Sequence, residues 1–384
     1  MPSGVERILT THTGSLPRPP DLLGMIQARE TGQPYDAEAL SVAVRRSVAA
    51  AVRAQADAGI DIVNDGELSK AGFSDYIKDR VSGLEGVDPS PQAPSEVDFP
   101  EFAEWWRTAG FMGNVTFPRP VCVGPMAWTH PETVEADVAN FRDALADVDV
   151  AGAFMTASSP GILDLRIANQ HYPTEEEYVY ALAEMMKVEY RAIADAGFVL
   201  QVDAPEMAMG RNWARFRDGS LEDFRRAMGL WAEALNHALE GIPEEQVRYH
   251  ICWGNSEGPH VRDVPLRDIV DIVLQVRAGA YSVEASNPRH AHEWRVWEDV
   301  KLPEGKTLIP GVIDSTTNFV EHPDLVRDRI LSYASIVGRD SVMASTDCGF
   351  GTFAGRSRVH PTVVWAKLRA MAEGARLASE ALWG

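Results

Sequence analysis

A (β/α)8 barrel, a single α/β domain, is the fold this sequence predicts, and three observations predict it. Short apolar runs alternate with long helical patterns over almost the whole chain, as repeated strand–helix units require. One unit recurs: residues 53–60 and 191–198 share the pattern Arg-Ala-x-Ala-Asp-Ala-Gly followed by an apolar residue, and each leads into a strand ending at an acid, Asp65 or Asp203. The polar residues with the most chemistry (Ser15, Glu67, Asp203, His250, Cys252, Glu284, Asp314 and Cys348) all fall where predicted strands end. In such a barrel that end carries the chemistry.

Taken in order, residues 7–13 read as a strand that stops at Gly14-Ser15, and Pro17, Pro19 and Pro20 then break regular structure. A helix is expected over 36–58, stopped by Gly59, with a strand over 60–63. Residues 84–120 differ from the rest. Pro89, Pro91 and Pro94 cluster with Ser90 and Ser95, and Trp105-Trp106 follow. This stretch reads as an excursion, either a lid or hairpin or a plain surface insertion. A strand over 120–126, a helix over 133–146 and a strand over 152–156 come next. Thr174 followed by Glu175-Glu176-Glu177 is a capping box opening a helix to about residue 196. Further helices fit 220–239, 265–276, 323–337 and 362–382, and Gly311-Val312-Ile313 ends a strand. Strand candidates fall near residues 10, 62, 123, 154, 200, 250, 282, 310 and 344, one more than eight. An open doubly wound sheet is the alternative, but no glycine-rich phosphate loop follows the first strand.

The chain of 384 residues can bury roughly 75% of its unfolded surface. Its net charge of -20 argues against nucleic acid or an anionic membrane as partner. No signal core opens it, and no run approaches the ~18 apolar residues of a membrane span, so a cytoplasmic location is expected. Three cysteines are too few for a disulfide framework. Cys122, between two valines, reads as a small core residue.

Tyr249-His250-Ile251-Cys252-Trp253-Gly254-Asn255 reads as a strand running into a loop. On a strand, residues i and i+2 point the same way, so His250 and Cys252 aim an imidazole nitrogen and a sulfur at one point. Both are zinc ligand types, and Glu284 and Cys348, at later strand ends, could complete the set. A lone His-x-Cys is more often structural. The later glutamate and cysteine strengthen the metal reading. Two thiolates and a carboxylate would leave the site anionic. A free thiol is mostly protonated at neutral pH, with a pKa of about 8.5, and zinc deprotonates one that binds it. Anionic co-ligands keep such a sulfur electron-rich, whereas water-activating sites usually carry neutral histidines. The ligand set points to alkylation of a thiol. Four protein ligands leave no vacancy, so one must yield, and the Glu284 carboxylate is the natural candidate.

The sequence resembles the catalytic barrel of cobalamin-independent methionine synthase and its short relatives. Thr11-His12-Thr13-Gly14-Ser15, Asp65-Gly66-Glu67, Val202-Asp203-Ala204-Pro205-Glu206, His250-Ile251-Cys252, Glu284, Pro310-Gly311-Val312-Ile313-Asp314 and Asp347-Cys348-Gly349 carry the likeness, in the family's order. The resemblance implies Zn2+ held by His250, Cys252, Glu284 and Cys348. It implies that Thr13, Gly14 and Ser15 hold the carboxylate of homocysteine and that Glu67 and Asp203 bind its amino group. A cationic amine in a dry pocket needs such acids. The bland alternative for both acids is helix N-capping. The implied partners are a small thiol and a methyl donor, with self-association left open.

One departure stands out. Where the full-length enzymes carry a proton-donating histidine after the Pro-Gly-Val-x-Asp strand, this chain has Ser315, after Asp314. These two are the candidate catalytic residues. A serine hydroxyl is a poor general acid at neutral pH. Methylcobalamin, whose departure needs no proton, therefore suits the site better than methyltetrahydrofolate. A related short barrel, epoxyalkane:coenzyme M transferase, alkylates a thiol sulfonate, and Arg18, Arg289 and Arg356 could hold a sulfonate or simply be solvated. A non-catalytic zinc or thiol module is the reading from another class. A resemblance to uroporphyrinogen decarboxylase would leave His250, Cys252 and Cys348 without a shared purpose.

Overall fold

The computed structural model describes residues 5–88, 98–108 and 119–384. Its strands are β1 (Ile62–Asn64), β2 (Val81–Glu85), β3 (Val121–Trp128), β4 (Gly152–Ser158), β5 (Ala168–Asn169), β6 (Val199–Asp203), β7 (Val247–Ile251), β8 (Ala280–Val283), β9 (Thr307–Ile313) and β10 (Ser345–Thr346). Among the described residues, seven of these form one sheet in the order β1-β4-β6-β7-β8-β9-β10, and every pairing in it is parallel.

The sheet curls. Leu9, Ile62, Phe154, Ala280, Ile309 and Met343, drawn from segments along its whole width, meet in one buried cluster. Residues 9–11 bond to both edges. Thr11 N–H donates to Ala344 O at 2.8 Å and Ala344 N–H to Leu9 O at 2.9 Å, while Ile62 N–H donates to Thr10 O at 3.0 Å. Arg248 on β7 is wholly buried, reaches Thr11 Oγ1 and His12 O at 3.0 and 2.9 Å, and lies 4.0 Å from the Phe154 ring.

Helices begin where the sequence supplies caps. The Asp36 carboxylate accepts from the N–H groups of Glu38 and Ala39 at the head of Ala37–Asp57. Thr174 caps Glu175–Asp195 and Ser220 caps Leu221–Ala238. The repeated unit ends its two helices alike, at Gly59 and Gly197, with φ of 84° and 87°, a backbone that favours glycine. None of the described helices is long and apolar enough to cross a membrane.

Three expectations change. The ninth strand candidate, near residue 123, belongs to a separate three-stranded sheet in the order β2-β3-β5, with β2 antiparallel to β3. Cys122 is buried as expected of a small core residue, while Val123 is 40% exposed, as on a sheet with one wet face. The stretch near residue 10 pairs through isolated bonds rather than as a regular strand. The helix expected over 265–276 is a 3-10 turn, Leu266–Asp268, and a short helix, Val270–Val273, separated by Ile269 at φ -132°. The excursion expected over 84–120 leaves along β2 and returns along β3. Its helix Pro100–Thr108 sets Trp106 under the Arg358 guanidinium at 4.8 Å, and Asp98 pairs with Arg262 at 2.6 Å. Residues 89–97 and 109–118 of that stretch lie outside the described residues.

Candidate metal and thiol site

β7 ends by presenting His250, and Cys252 follows it at once. Cys348 comes from the loop after β10. The ligand atoms of these three buried residues lie within 4.8 Å of one another. His250 Nδ1 is 3.2 Å from Ser282 Oγ on β8, whereas its Nε2 is buried without a hydrogen-bond partner. If Nδ1 donates to Ser282, Nε2 is left with a free lone pair. Burial holds the ring neutral, with a pKa lowered to about 3. The Cys252 thiol is pushed well up, first by its bond to Cys348 and then by burial. An orphaned imidazole nitrogen facing two crowded thiols fits a thiophilic cation.

Glu284 follows β8 directly, beside the cluster but outside that 4.8 Å group. Its Oε2 accepts from Asn287 Nδ2 at 3.2 Å and lies 3.6 Å from the Arg289 guanidinium. Its carboxyl is raised by burial and then by Cys252. His250 and Cys252 lie together as the strand spacing predicts, Cys348 joins them, and Glu284 stands to one side.

The cluster opens on a cavity of about 270 Å³, whose wall includes Thr13, Ser15, Glu67, Asp203, Ser315 and Phe353. Glu67 is the one non-glycine residue among those described with a positive φ, 54°. Backbone strain of this kind is held where a site needs it. Its Oε2 is buried without a partner. Asp203 is raised by burial and then by the charge of Glu67, while its Oδ1 accepts from Gln201 Nε2 at 2.6 Å. Neither acid caps a helix: the short helix after Asp203 has Pro205 at its N-cap, and Glu67 lies in a turn. Gly14, at φ 139°, passes so close that a Cβ there would lie 2.7 Å from Glu67 Oε1 and from Thr156 Cγ2. The 13–15 segment is tied on one side to the acid turn, through Leu16 N–H to Gly66 O at 3.0 Å. On the other it meets the Cys348 loop, through Phe350 N–H to Ser15 O at 2.7 Å.

Asp314 and Ser315 part company. Ser315 faces the cavity and donates to Asn255 Oδ1 at 3.0 Å. The Asp314 carboxylate accepts from the N–H and hydroxyl of Thr316 and from the Thr317 hydroxyl, each at 2.8 Å, so it holds its own turn. Arg18 is not solvated. It is buried and spends its N–H groups on the carbonyls of Glu67, Lys70 and Gly351. Arg289 turns to Ser256 O and Asn287, and Arg356 lines the cavity.

Asp347, in the Asp347-Cys348-Gly349 motif, has a task that its sequence position does not show. Its carboxylate accepts from Ala285 N–H, Ser286 N–H and Oγ, and Asn287 N–H and Nδ2, at 2.7–3.1 Å. It thereby fastens the Cys348 loop to the loop that carries Glu284. Gln201, whose amide also donates to Thr13 O at 2.5 Å, went unnoticed too. An acid directly before a candidate ligand was the available signal for Asp347. Gln201 gave none.

A parallel α/β fold with a buried His-Cys-Cys cluster beside an acid pair is the class these features define. The sequence profile of the cobalamin-independent synthase catalytic domain matches residues 8–376, and the chain belongs to that family. It is similar to the uncharacterized protein YxjH of Bacillus subtilis, 24% identical over 93% of this chain and 91% of that protein. It is also similar to a methionine synthase of Pyrococcus furiosus, 23% identical over 88% of this chain and 85% of the relative. Among solved structures, a B12-independent methionine synthase from Shewanella sp. W3-18-1 in complex with selenomethionine superposes with a TM-score of 0.73. It is 20% identical and covers 98% of this chain and 99% of its own.

Proposed function

We propose that the chain is a zinc-dependent thiol alkyltransferase that methylates the sulfur of homocysteine to give methionine. The observation that carries this reading is the orphaned His250 Nε2 meeting the Cys252 and Cys348 sulfurs on the wall of a cavity that also holds the Glu67–Asp203 pair. Zinc bound there would keep a substrate thiol deprotonated at neutral pH. Family membership and the relatives named methionine synthase support methyl transfer.

His250, Cys252 and Cys348 are the constant ligands in this reading. Glu284 is the exchangeable one, and its position beside Asn287 and Arg289 supports that role. Glu67 and Asp203 take the ammonium of homocysteine, and the backbone at Thr13, Gly14 and Ser15 takes its carboxylate. Asp314 acts by holding the turn that presents Ser315. With a hydroxyl where the longer enzymes carry a histidine, the site suits methylcobalamin better than methyltetrahydrofolate as donor. Transfer of an epoxide to coenzyme M is the weaker alternative, since a buried acid pair repels a sulfonate and attracts an amine. The curled sheet is read as a closed (β/α)8 barrel with residues 9–11 as its eighth stave, forming one domain over residues 1–384, and the enzyme as cytoplasmic.

Metal analysis and thiol titration test the reading together. The purified protein should carry about one zinc per chain. Cys348→Ala should lose most of it, and homocysteine binding with it. Unchanged zinc in that variant would end the proposal.

A further inference from the structure

We propose that Gln201 is a positioning residue that makes the pocket select α-amino acids: it ties the backbone that takes the substrate carboxylate to an acid that takes the ammonium, so the two groups bind as a pair. The inference rests on the reading of residues 13–15, Glu67 and Asp203 as the amino-acid end of the pocket, and names what couples its parts.

Gln201 lies two residues before Asp203 on β6, so the two side chains share a face of the sheet. Its strand neighbours are Thr156 on β4 and Arg248 on β7, and those of Asp203 are Ser158 and His250. Gln201 therefore stands one step behind the acid and is wholly buried. Its Nε2 donates to Thr13 O at 2.5 Å and to Asp203 Oδ1 at 2.6 Å. An amide nitrogen carries two hydrogens, and both are used here. Turned round, the amide would set its oxygen against the Thr13 carbonyl, which has no hydrogen to give, so the neighbours fix its orientation. The amide oxygen itself is buried without a partner. A methionine would fill this place without orphaning an atom, so packing alone does not account for a glutamine.

Other bonds fix each part to the sheet. Thr13 donates its N–H to Thr346 Oγ1 at 3.2 Å and its hydroxyl to Thr346 O at 3.0 Å. Arg248 holds Thr11 and His12, and Ser159 N–H donates to Asp203 O at 3.0 Å. The Glu67 turn is joined to the 13–15 segment through main chain, by Leu16 N–H on Gly66 O. The Asp203 carboxylate is joined to it through a side chain, that of Gln201. In an α-amino acid the ammonium and carboxylate hang on one carbon, so their separation is fixed. When two such groups meet two sites at the matching distance, the second binding event is intramolecular and gains from the first. A slip of about 1 Å between the sites forfeits much of that gain.

The test titrates the zinc-loaded protein calorimetrically with homocysteine, mercaptobutyrate, mercaptopropylamine and propanethiol, which carry both groups, the carboxylate, the amine and neither. Wild type is compared with Gln201→Met, which keeps the volume and removes both N–H groups. Gln201→Glu, protonated when buried, keeps the shape with one hydrogen to give, and serves if Gln201→Met folds poorly. In the wild type, an added amine should improve binding more when the carboxylate is present than when it is absent, by an excess on the order of tenfold. Without the Gln201 bridge that excess should shrink to within about twofold, with zinc content unchanged. The dissociation constant of homocysteine should then rise by the same order. Equal weakening of all the thiols would leave the excess in place, mark the glutamine as merely structural, and overturn the proposal. A wild type that is strictly additive overturns it whatever the variants do. A wild type indifferent to both groups overturns the amino-acid reading of the pocket itself.

Discussion

Asp347 accepts twice from Ser286, from its N–H at 2.8 Å and from its hydroxyl at 2.7 Å. With the bonds from Ala285 and Asn287, this one carboxylate locks the loop after β8 to the loop bearing Cys348. Asp347→Ala would strand these donors in a buried place. The expected cost is about 3 kcal/mol of stability, and zinc affinity should drop about 10–100-fold, as when outer-shell partners are lost. Thermal unfolding and competition with a zinc chelator check the two losses. Wild-type zinc affinity in a folded variant would show that the lock has no bearing on the metal.

Stability should decline from mildly acid pH up to about pH 8 because of Glu206. Burial lifts its pKa to about 8, although Ser159 Oγ donates to it at 2.6 Å. In the unfolded chain the group titrates near pH 4.3. Between those values the folded protein keeps a proton the unfolded chain sheds, so stability declines as pH rises through that window, by on the order of a few kcal/mol. Glu206→Gln cannot lose that proton. The melting temperatures of wild type and variant, followed from about pH 5 to about pH 9, should diverge with the variant gaining. Parallel curves would contradict this.

Gly14→Ala should damage substrate binding more than the fold. The new methyl would stand 2.7 Å from Glu67 Oε1 and Thr156 Cγ2, on a backbone at φ 139° that a side chain tolerates poorly. Overpacking of this kind costs roughly 1–3 kcal/mol. Because the displaced atom belongs to Glu67, KM for homocysteine should rise at least about tenfold, a loss of about 1.4 kcal/mol in binding. Zinc content should stay at the wild-type level. A variant that loses zinc but binds thiol normally would refute the assignment of Gly14 to the amino-acid end of the pocket.

The methyl donor is tested at Ser315. Lack of a placed general acid costs typically 10²–10⁴-fold when a nitrogen leaving group must be protonated. His12 cannot stand in, since Gln55 and the Gly14 N–H hold both ring nitrogens and burial lowers its pKa to about 4. Methyltetrahydrofolate should be consumed slowly and methylcobalamin freely. Ser315→His should improve turnover of the folate alone. Rapid folate turnover by the unmodified protein in a rate assay with both donors would place the acid elsewhere.

Much of this architecture was legible because it depends on local rules. Caps at Asp36, Thr174 and Ser220 marked helix starts, and strand periodicity alone placed His250 and Cys252 on one side. The departures come from contacts that local rules do not see. β3 read as one more stave because its apolar run does not show that its partner, β2, runs antiparallel to it. The hold of Thr316 and Thr317 on the Asp314 carboxylate likewise depends on how that turn folds. Lys70 and Glu189 meet across more than a hundred residues of chain, and neither has a neighbour in sequence that announces the other.

Ser15 receives its bond from Gly351 across 336 residues. In the order of synthesis, the turn proposed to grip the amino acid is made more than 300 residues before the Cys348 loop. A nascent chain that has just released His250 and Cys252 offers a metal only two of the three clustered ligands, and the pocket above them still lacks a wall. Contacts this distant in sequence also slow folding, because their closure entropy comes before their reward. Closure of the His250–Cys252–Cys348 cluster and of the pocket wall therefore both wait on the same distant loop.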